Sequence, residues 1–305
     1  MIMNDTYRKQ VALLIRIMPS VYRIGDFAVH GGTAINLFHK DMPRYSVDID
    51  LTYIPVQERE ESLRTINRYL ATLKGYIEKS IPAIRVVPKY NVWKLQCTLD
   101  GATVKIEVNG TKRGIIGETE DRMLCERAQR EFSMACKART VSFTQLYGGK
   151  IAAALSRQHP RDLFDCKYME ISSFEDVKDG FMLCLLGSDK PLIESLQPNP
   201  IDQSDALEKQ FKGMSDVDFS YADYEEARNG LITLVNDSLT ETDRDFLLSF
   251  EEGTPDWNRC CAGDLSRYPS VRWKLQNIAR LKEENPEKHR RGMEKLRGFF
   301  EDKEK

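Results

Sequence analysis

Asp48 and Asp50 stand two apart in RYSVDIDLTY, residues 44 to 53, with Ile49 between them in a run that otherwise reads as a β-strand. Aspartate is among the poorest strand formers, so the pair needs a reason. Residues two apart on a strand project from one face and lie about 6.6 Å apart along the backbone. Both carboxylates can therefore converge on one site. Hard cations such as Mg²⁺ take carboxylate oxygens, and two metals roughly 3.5 to 4 Å apart need ligands presented in this way. Glu107, on the polar face of TVKIEVN, supplies a third carboxylate if its strand pairs beside the first. The same aspartates are equally compatible with an edge strand kept soluble by its charges.

A glycine turn adds to the pattern. HGGT, residues 30 to 33, follows the apolar run FAV and precedes TAINLFH, so Gly31 and Gly32 can bring backbone N–H groups close to a triphosphate, with a helix N-terminus behind them. Thr33 adds a hydroxyl. A Gly-Gly alone is more often only a turn, but here Arg44-x-Ser46-x-Asp48-Ile49-Asp50 follows closely. Further on, FTQLYGGKIAAALSRQ reads as a helix on which Lys150 and Arg157, seven apart, share a face. Gly148 and Gly149 cost that helix about 1 kcal/mol each relative to alanine, which implies close packing or close ligand approach beside Lys150. Charged groups gathered at clefts tend to be functional, which favours a phosphate contact for Lys150. Pro160 suits the first turn of a following helix that sets Arg161 and Asp165 one turn apart as an ion pair. For Arg161 and Asp162, a surface pair pinning two helices is as good a reading as a functional one.

The elements that must position these groups change character along the chain. Before residue 110 strands dominate. After a helix at DTYRKQVALLIRIM, capped by Asp5 or Thr6 and stopped by Pro19, come FAVH, the DID strand, a helix around REESLRTINRYLATL, a strand at AIRVV and a hairpin turning at LDGAT. Trp93, Leu95, Cys97 and Leu99 alternate with Lys94, Gln96 and Thr98 in its first arm, and Val104, Ile106 and Val108 with Thr103, Lys105 and Glu107 in its second. After about residue 118 helical periodicity takes over, at 120–130, 143–157, 160–170, 174–186, 221–238, 241–250 and 271–284, and GSDKPLIESLQPNPIDQSD reads as a loop. The expectation is an α+β protein, with an α/β mixed-sheet domain over 1–117 and a helical domain over 118–305.

Composition bounds the rest. At 305 residues, 41% hydrophobic and 30% charged, the chain reads as a globular protein with no membrane span and no secretory segment, expected in the cytoplasm. Its seven cysteines have no metal-type spacing and suit reduced thiols. The net charge of −2 hides an asymmetry: residues 201 to 257 hold fifteen Asp/Glu against four Lys/Arg. Nucleic acid is therefore expected on the first 200 residues or on the basic tail, although solvated charged helices explain the pattern equally well. His30, His39, His159 and His289 have no ligand spacing, and no Ser-His-Asp or Cys-His order suggests covalent hydrolysis.

Taken together, GGTAINLF, RYSVDIDL and QLYGGKIAAALSRQHPRDLFDCKYM, with FLLSFEEGTPDW and YPSVRWKLQNI far downstream, resemble the AbiEii nucleotidyltransferase toxins of bacterial toxin–antitoxin pairs, to which the MenT toxins belong. The resemblance implies a nucleotidyltransferase-fold sheet domain followed by a helical domain, with the site between them. It implies that Gly31, Gly32, Thr33, Arg44, Ser46, Lys150 and Asp165 bind the nucleotide, and that Asp48, Asp50 and Glu107 hold Mg²⁺ in a two-metal site. Lys150 is the implied triphosphate lysine, and Arg161, Asp162 and Asp165 the R-D-x-x-D element. Thr33 stands where the wider superfamily often has serine, and the interval from Gly32 to Asp48 is long for it. The implied activity is transfer of a nucleoside monophosphate from an NTP to an RNA, tRNA above all, with a cognate antitoxin as partner. Transfer to a small molecule or protein, or a silent nucleotide- or RNA-binding module, are the alternatives.

Overall fold

The structure, a computed structural model, describes residues 4 to 302. The chain divides into two compact units: the first runs up to Ser142 and takes back Asp205–Phe219, and the second comprises Phe143–Ser204 and the chain from Ser220 on. The division falls beyond the expected residue 117, because the stretch after it adds two more strands to the same sheet.

In the first unit, helix α1 (Asp5–Tyr22) leads into β1 (Phe27–His30), α2 (Gly31–Ala34) with a π-helical continuation to His39, β2 (Asp48–Tyr53), α3 (Arg59–Ser80), β3 (Arg85–Lys89), β4 (Lys94–Leu99), β5 (Ala102–Val108), β6 (Glu120–Met123), α4 (Glu126–Phe132) and β7 (Lys137–Thr140). Asn4, not Asp5 or Thr6, caps α1, and Pro19 lies inside that helix rather than ending it. Among the described residues seven strands form one mixed sheet, in the order β3-β4-β5-β2-β1-β7-β6. α1 and α3 pack on the sheet, whose buried alternates include Ile49, Leu51, Leu95, Cys97, Val104 and Ile106. Asp100 and Gly101 turn the β4–β5 hairpin with φ of 48° and 79°, the doubly left-handed form that matches strand twist. The stretch read as a helix at 120–130 is instead β6 followed by α4, and β7 is an unforeseen strand.

Residues 205–219 belong to this unit through backbone and side-chain contacts. Tyr45 N–H donates to the Met214 carbonyl at 2.7 Å, Ser215 Oγ donates to the Pro43 carbonyl at 2.8 Å, and Arg127 pairs with Asp216 at 2.7 Å.

The second unit is helical: α5 (Phe143–Arg157), α6 (Pro160–Lys167), α7 (Glu175–Leu186), α8 (Leu192–Leu196), α10 (Tyr221–Ser238), α11 (Glu241–Glu251), α12 (Pro269–Glu284) and α13 (Pro286–Asp302), with α9 (Ser204–Ala206) where the chain passes back to the sheet. α8 interrupts the expected loop, and α13 folds the basic tail. Gly148 and Gly180 let α5 and α7 touch. A Cβ on Gly148 would stand 2.1 Å from the Phe181 nitrogen, and one on Gly180 2.1 Å from the Thr144 carbonyl oxygen. Close helix packing thus accounts for the glycine at 148. No helix among the described residues is long and apolar enough to cross a membrane.

Candidate active site

Strand alternation sends Ile49 and Leu51 into the core and leaves Asp48 and Asp50 half-buried on the opposite face of β2. β2 runs parallel to β5, and the register sets Asp50 against Glu107 and Asp48 against Lys105. Residues directly opposite in a ladder project from the same face, so Glu107 shares the carboxylate face, as expected. Its oxygen is held by Lys94 Nζ at 2.9 Å. Among the described residues no three His, Cys, Asp or Glu side chains gather closely enough to hold a metal.

β1 runs antiparallel to β2 and ends with His30 opposite Asp50. The turn that follows explains both glycines. Gly31 takes φ of 67°, and a Cβ there would stand 2.8 Å from Asp50 Oδ2; on Gly32 it would stand 2.7 Å from Arg44 Nη2 and 3.0 Å from Ser46 Oγ. The missing side chains are what let the helix start lie against the carboxylate. His30, the N-cap, offers no side-chain acceptor to α2, and its Nδ1 lies 2.9 Å from Thr52 Oγ1. The first N–H groups of a helix lack intrahelical partners and favour an anion.

Thr33, Arg44 and Ser46 are buried beside the turn, at 1%, 2% and 7% exposure. Thr33 Oγ1 donates to the Asp48 carbonyl at 2.5 Å and lies 3.0 Å from Ser46 Oγ. The single Thr33 proton is thus shared between the Asp48 carbonyl and Ser46 Oγ. Arg44 Nη1 donates to the Tyr45 carbonyl at 2.9 Å. In this arrangement the three residues brace the turn and the start of β2 from beneath.

In the second unit, Lys150 is buried between Asp162 Oδ1 at 2.8 Å and Asp165 Oδ2 at 3.0 Å. Arg157 reaches the other Asp162 oxygen at 2.8 Å, as its shared face with Lys150 suggests. Burial opposes ionisation of Asp162, yet Lys150 and Arg157 hold its carboxyl well below the usual carboxylate range. Asp165 pairs with Lys150 rather than with Arg161, because its side chain points into the α5–α6 interior, where Lys150 is the cation at hand. His159 caps α6 by accepting from the Arg161 N–H at 3.2 Å.

Lys94 is the residue at the site that sequence reasoning passed over as one more polar-face position. The signal was present. A two-residue turn at Asp100–Gly101 pairs Leu99 with Ala102, and counting back from there sets Lys94 opposite Glu107.

A family model described as nucleotidyl transferase AbiEii toxin, type IV toxin–antitoxin system, matches residues 14–214. Among solved structures, MenT4, a nucleotidyltransferase toxin from Mycobacterium tuberculosis, matches with a TM-score of 0.60 at 13% identity, over 90% of this chain and 93% of that one. That likeness concerns the fold. No curated protein matches the sequence.

Proposed function

This chain belongs to the AbiEii family of type IV toxin nucleotidyltransferases, and from that premise we propose that it transfers a nucleoside monophosphate from an NTP to an RNA 3′ end, tRNA above all, in a Mg²⁺-dependent reaction. The observation that carries the reading is the carboxylate face itself: Asp48 and Asp50 side by side, Glu107 in register, and a glycine turn so close to Asp50 that a Cβ would fill the space. That cradle fits a divalent cation on Asp48 and Asp50. Glu107, now paired with Lys94, would be the third carboxylate to hold it. Bound Mg²⁺ would neutralise the triphosphate and lower the pKa of the acceptor hydroxyl.

The chain's own groups divide the remaining work. Backbone N–H groups of Gly31 and Gly32 hold phosphate oxygens, as a helix start does. Thr33, Ser46 and Arg44 keep that turn and Asp48 in fixed relation. Glu107, the carboxylate farthest along the sheet from the glycine turn, receives the acceptor proton. Lys150 is the family's triphosphate lysine by likeness, and within the second unit its ammonium is held by Asp162 and Asp165. A separately encoded antitoxin, which the family implies, is the functional partner, and both act in the cytoplasm.

The test is incubation of purified protein with each labelled NTP and total RNA, with Mg²⁺ and with chelator. Label entering RNA from one NTP, and only with the metal, is the expected result. Label in protein or a small molecule would overturn the acceptor. No incorporation with either Mg²⁺ or Mn²⁺ would leave a nucleotide- or RNA-binding module.

A further inference from the structure

Beyond Glu107 the sheet continues through β4 to its edge at β3, and its two faces there differ. Val86, Leu95, Cys97, Val104 and Ile106 are buried on one. The other is continuous with the carboxylates through the strand register. One cross-strand row reads Asp50, Glu107, Lys94, Lys89, and the next reads Asp48, Lys105, Gln96, Val87. Arg85 lies two residues before Val87 on the same face of β3. Four strands at about 4.8 Å spacing carry each row roughly 14 Å from the aspartates to the edge.

The charge along this face is one-sided. Glu107 is its acidic residue beyond β2, and Lys94 already neutralises it. Arg85, Lys89 and Lys105 are exposed, and among the described residues none of the three joins an ion pair. Immediately after β3, Tyr90 is 37% exposed. Lysine and proline on an edge strand guard against strand-to-strand aggregation, which is reason enough for Lys89 beside Pro88. It does not explain Lys105, which sits on an interior strand directly across from Asp48.

We propose that this face of β3, β4 and β5 is the platform for the acceptor RNA, its phosphates lying along Arg85, Lys89 and Lys105 and a base stacking on Tyr90. The proposal rests on the reading that the acceptor is RNA. The chemistry is complementary: a 3′ end delivered to Glu107 along this face comes up against two aspartates that repel its phosphates, and Lys105 opposite Asp48 offsets that repulsion. Aromatic stacking adds affinity without demanding a sequence.

The test compares the parent, Arg85→Gln/Lys89→Gln/Lys105→Gln and the charge-retaining Arg85→Lys/Lys89→Arg/Lys105→Arg. Binding of labelled bulk tRNA is followed by anisotropy between about 50 and 200 mM salt. Each lost phosphate contact removes roughly 0.7 to 0.9 from the slope of log affinity against log salt. The neutral variant should therefore bind more weakly with a slope shallower by about 2 to 3, and the charge-retaining one should keep the parent's slope. Parent affinity and slope in the neutral variant would overturn the platform and leave an RNA acceptor standing. No binding by the parent at the lowest salt would overturn both.

Discussion

Asp50 and Glu107 face each other across adjacent parallel strands, with Glu107 tethered by Lys94 on the strand beyond. A metal recruiting Glu107 must compete with that lysine. The pair is about one-third exposed, and such ion pairs are worth about 0.2 to 1 kcal/mol. Lys94→Met should therefore tighten Mn²⁺ binding by at most about fivefold, measured by calorimetry. Weaker binding would mean that Lys94 positions the carboxylate instead of occupying it.

Asp48→Asn and Asp50→Asn should each lower transfer by at least about 10²- to 10³-fold, the scale seen when one aligned electrostatic group is lost. Both side chains are half-buried on a polar face, so the melting temperature should change little. Substantial transfer by either variant would contradict the metal assignment.

Gly31→Ala meets two obstacles, a left-handed φ and Asp50 Oδ2 at 2.8 Å. The backbone alone costs about 1 to 2 kcal/mol, and the clash moves the carboxylate. Gly101→Ala has the first obstacle without the second, since nothing lies within 4 Å of its Cβ. Both variants should lose stability in urea, while only Gly31→Ala loses turnover.

Lys150→Met leaves Asp162 and Asp165 buried without their shared cation, a change expected to cost about 3 to 5 kcal/mol. Adding Asp162→Asn and Asp165→Asn should recover most of that loss in the urea midpoint without restoring transfer. A triple variant that regained transfer as well would reduce Lys150 to a strut between α5 and α6.

The depressed pKa of Asp162 gives the fold a defined acid weakness. Because the carboxyl titrates lower in the folded chain, its stabilisation is complete above about pH 4 and drains as the pH falls toward the folded value. The stability gap between parent and Asp162→Asn should thus narrow below about pH 4 in urea titrations taken at successive pH.

What could be read in advance follows the range of the interactions. The β4–β5 hairpin was legible because turn chemistry and alternation both lie within a few residues. The pairing of β2 with β5 has no turn between the strands, and only the shared polar pattern of Asp50 and Glu107 hinted at it. β6 escaped notice because Glu120–Met123 is largely exposed and polar, so it has no alternation to betray it, and β7 because its alternation spans only four residues. α13 did carry a signal, in His289, Met293, Leu296 and Phe300 at helical spacing, under a heavy load of charge. At the site, residue types pointed to carboxylates and glycines, and the strand register and the turn bring these together. Residue types could not show that the Thr33 hydroxyl bonds the Asp48 carbonyl and Ser46, nor that Asp165 pairs with Lys150.

The return of Asp205–Phe219 to the sheet unit makes the order of synthesis matter. Arg44 bridges to Ser215 and Tyr45 to Met214 just before the carboxylate strand begins. A ribosome therefore releases Asp48 and Asp50 long before the segment that braces them. At about 5 to 20 residues per second, the interval between Ser142 and Phe219 lasts roughly 4 to 15 s. Through that interval the nascent chain already exposes α5 to α8 while its sheet unit is still incomplete, so the backbone brace ahead of the carboxylate strand is the last part of that unit to be made.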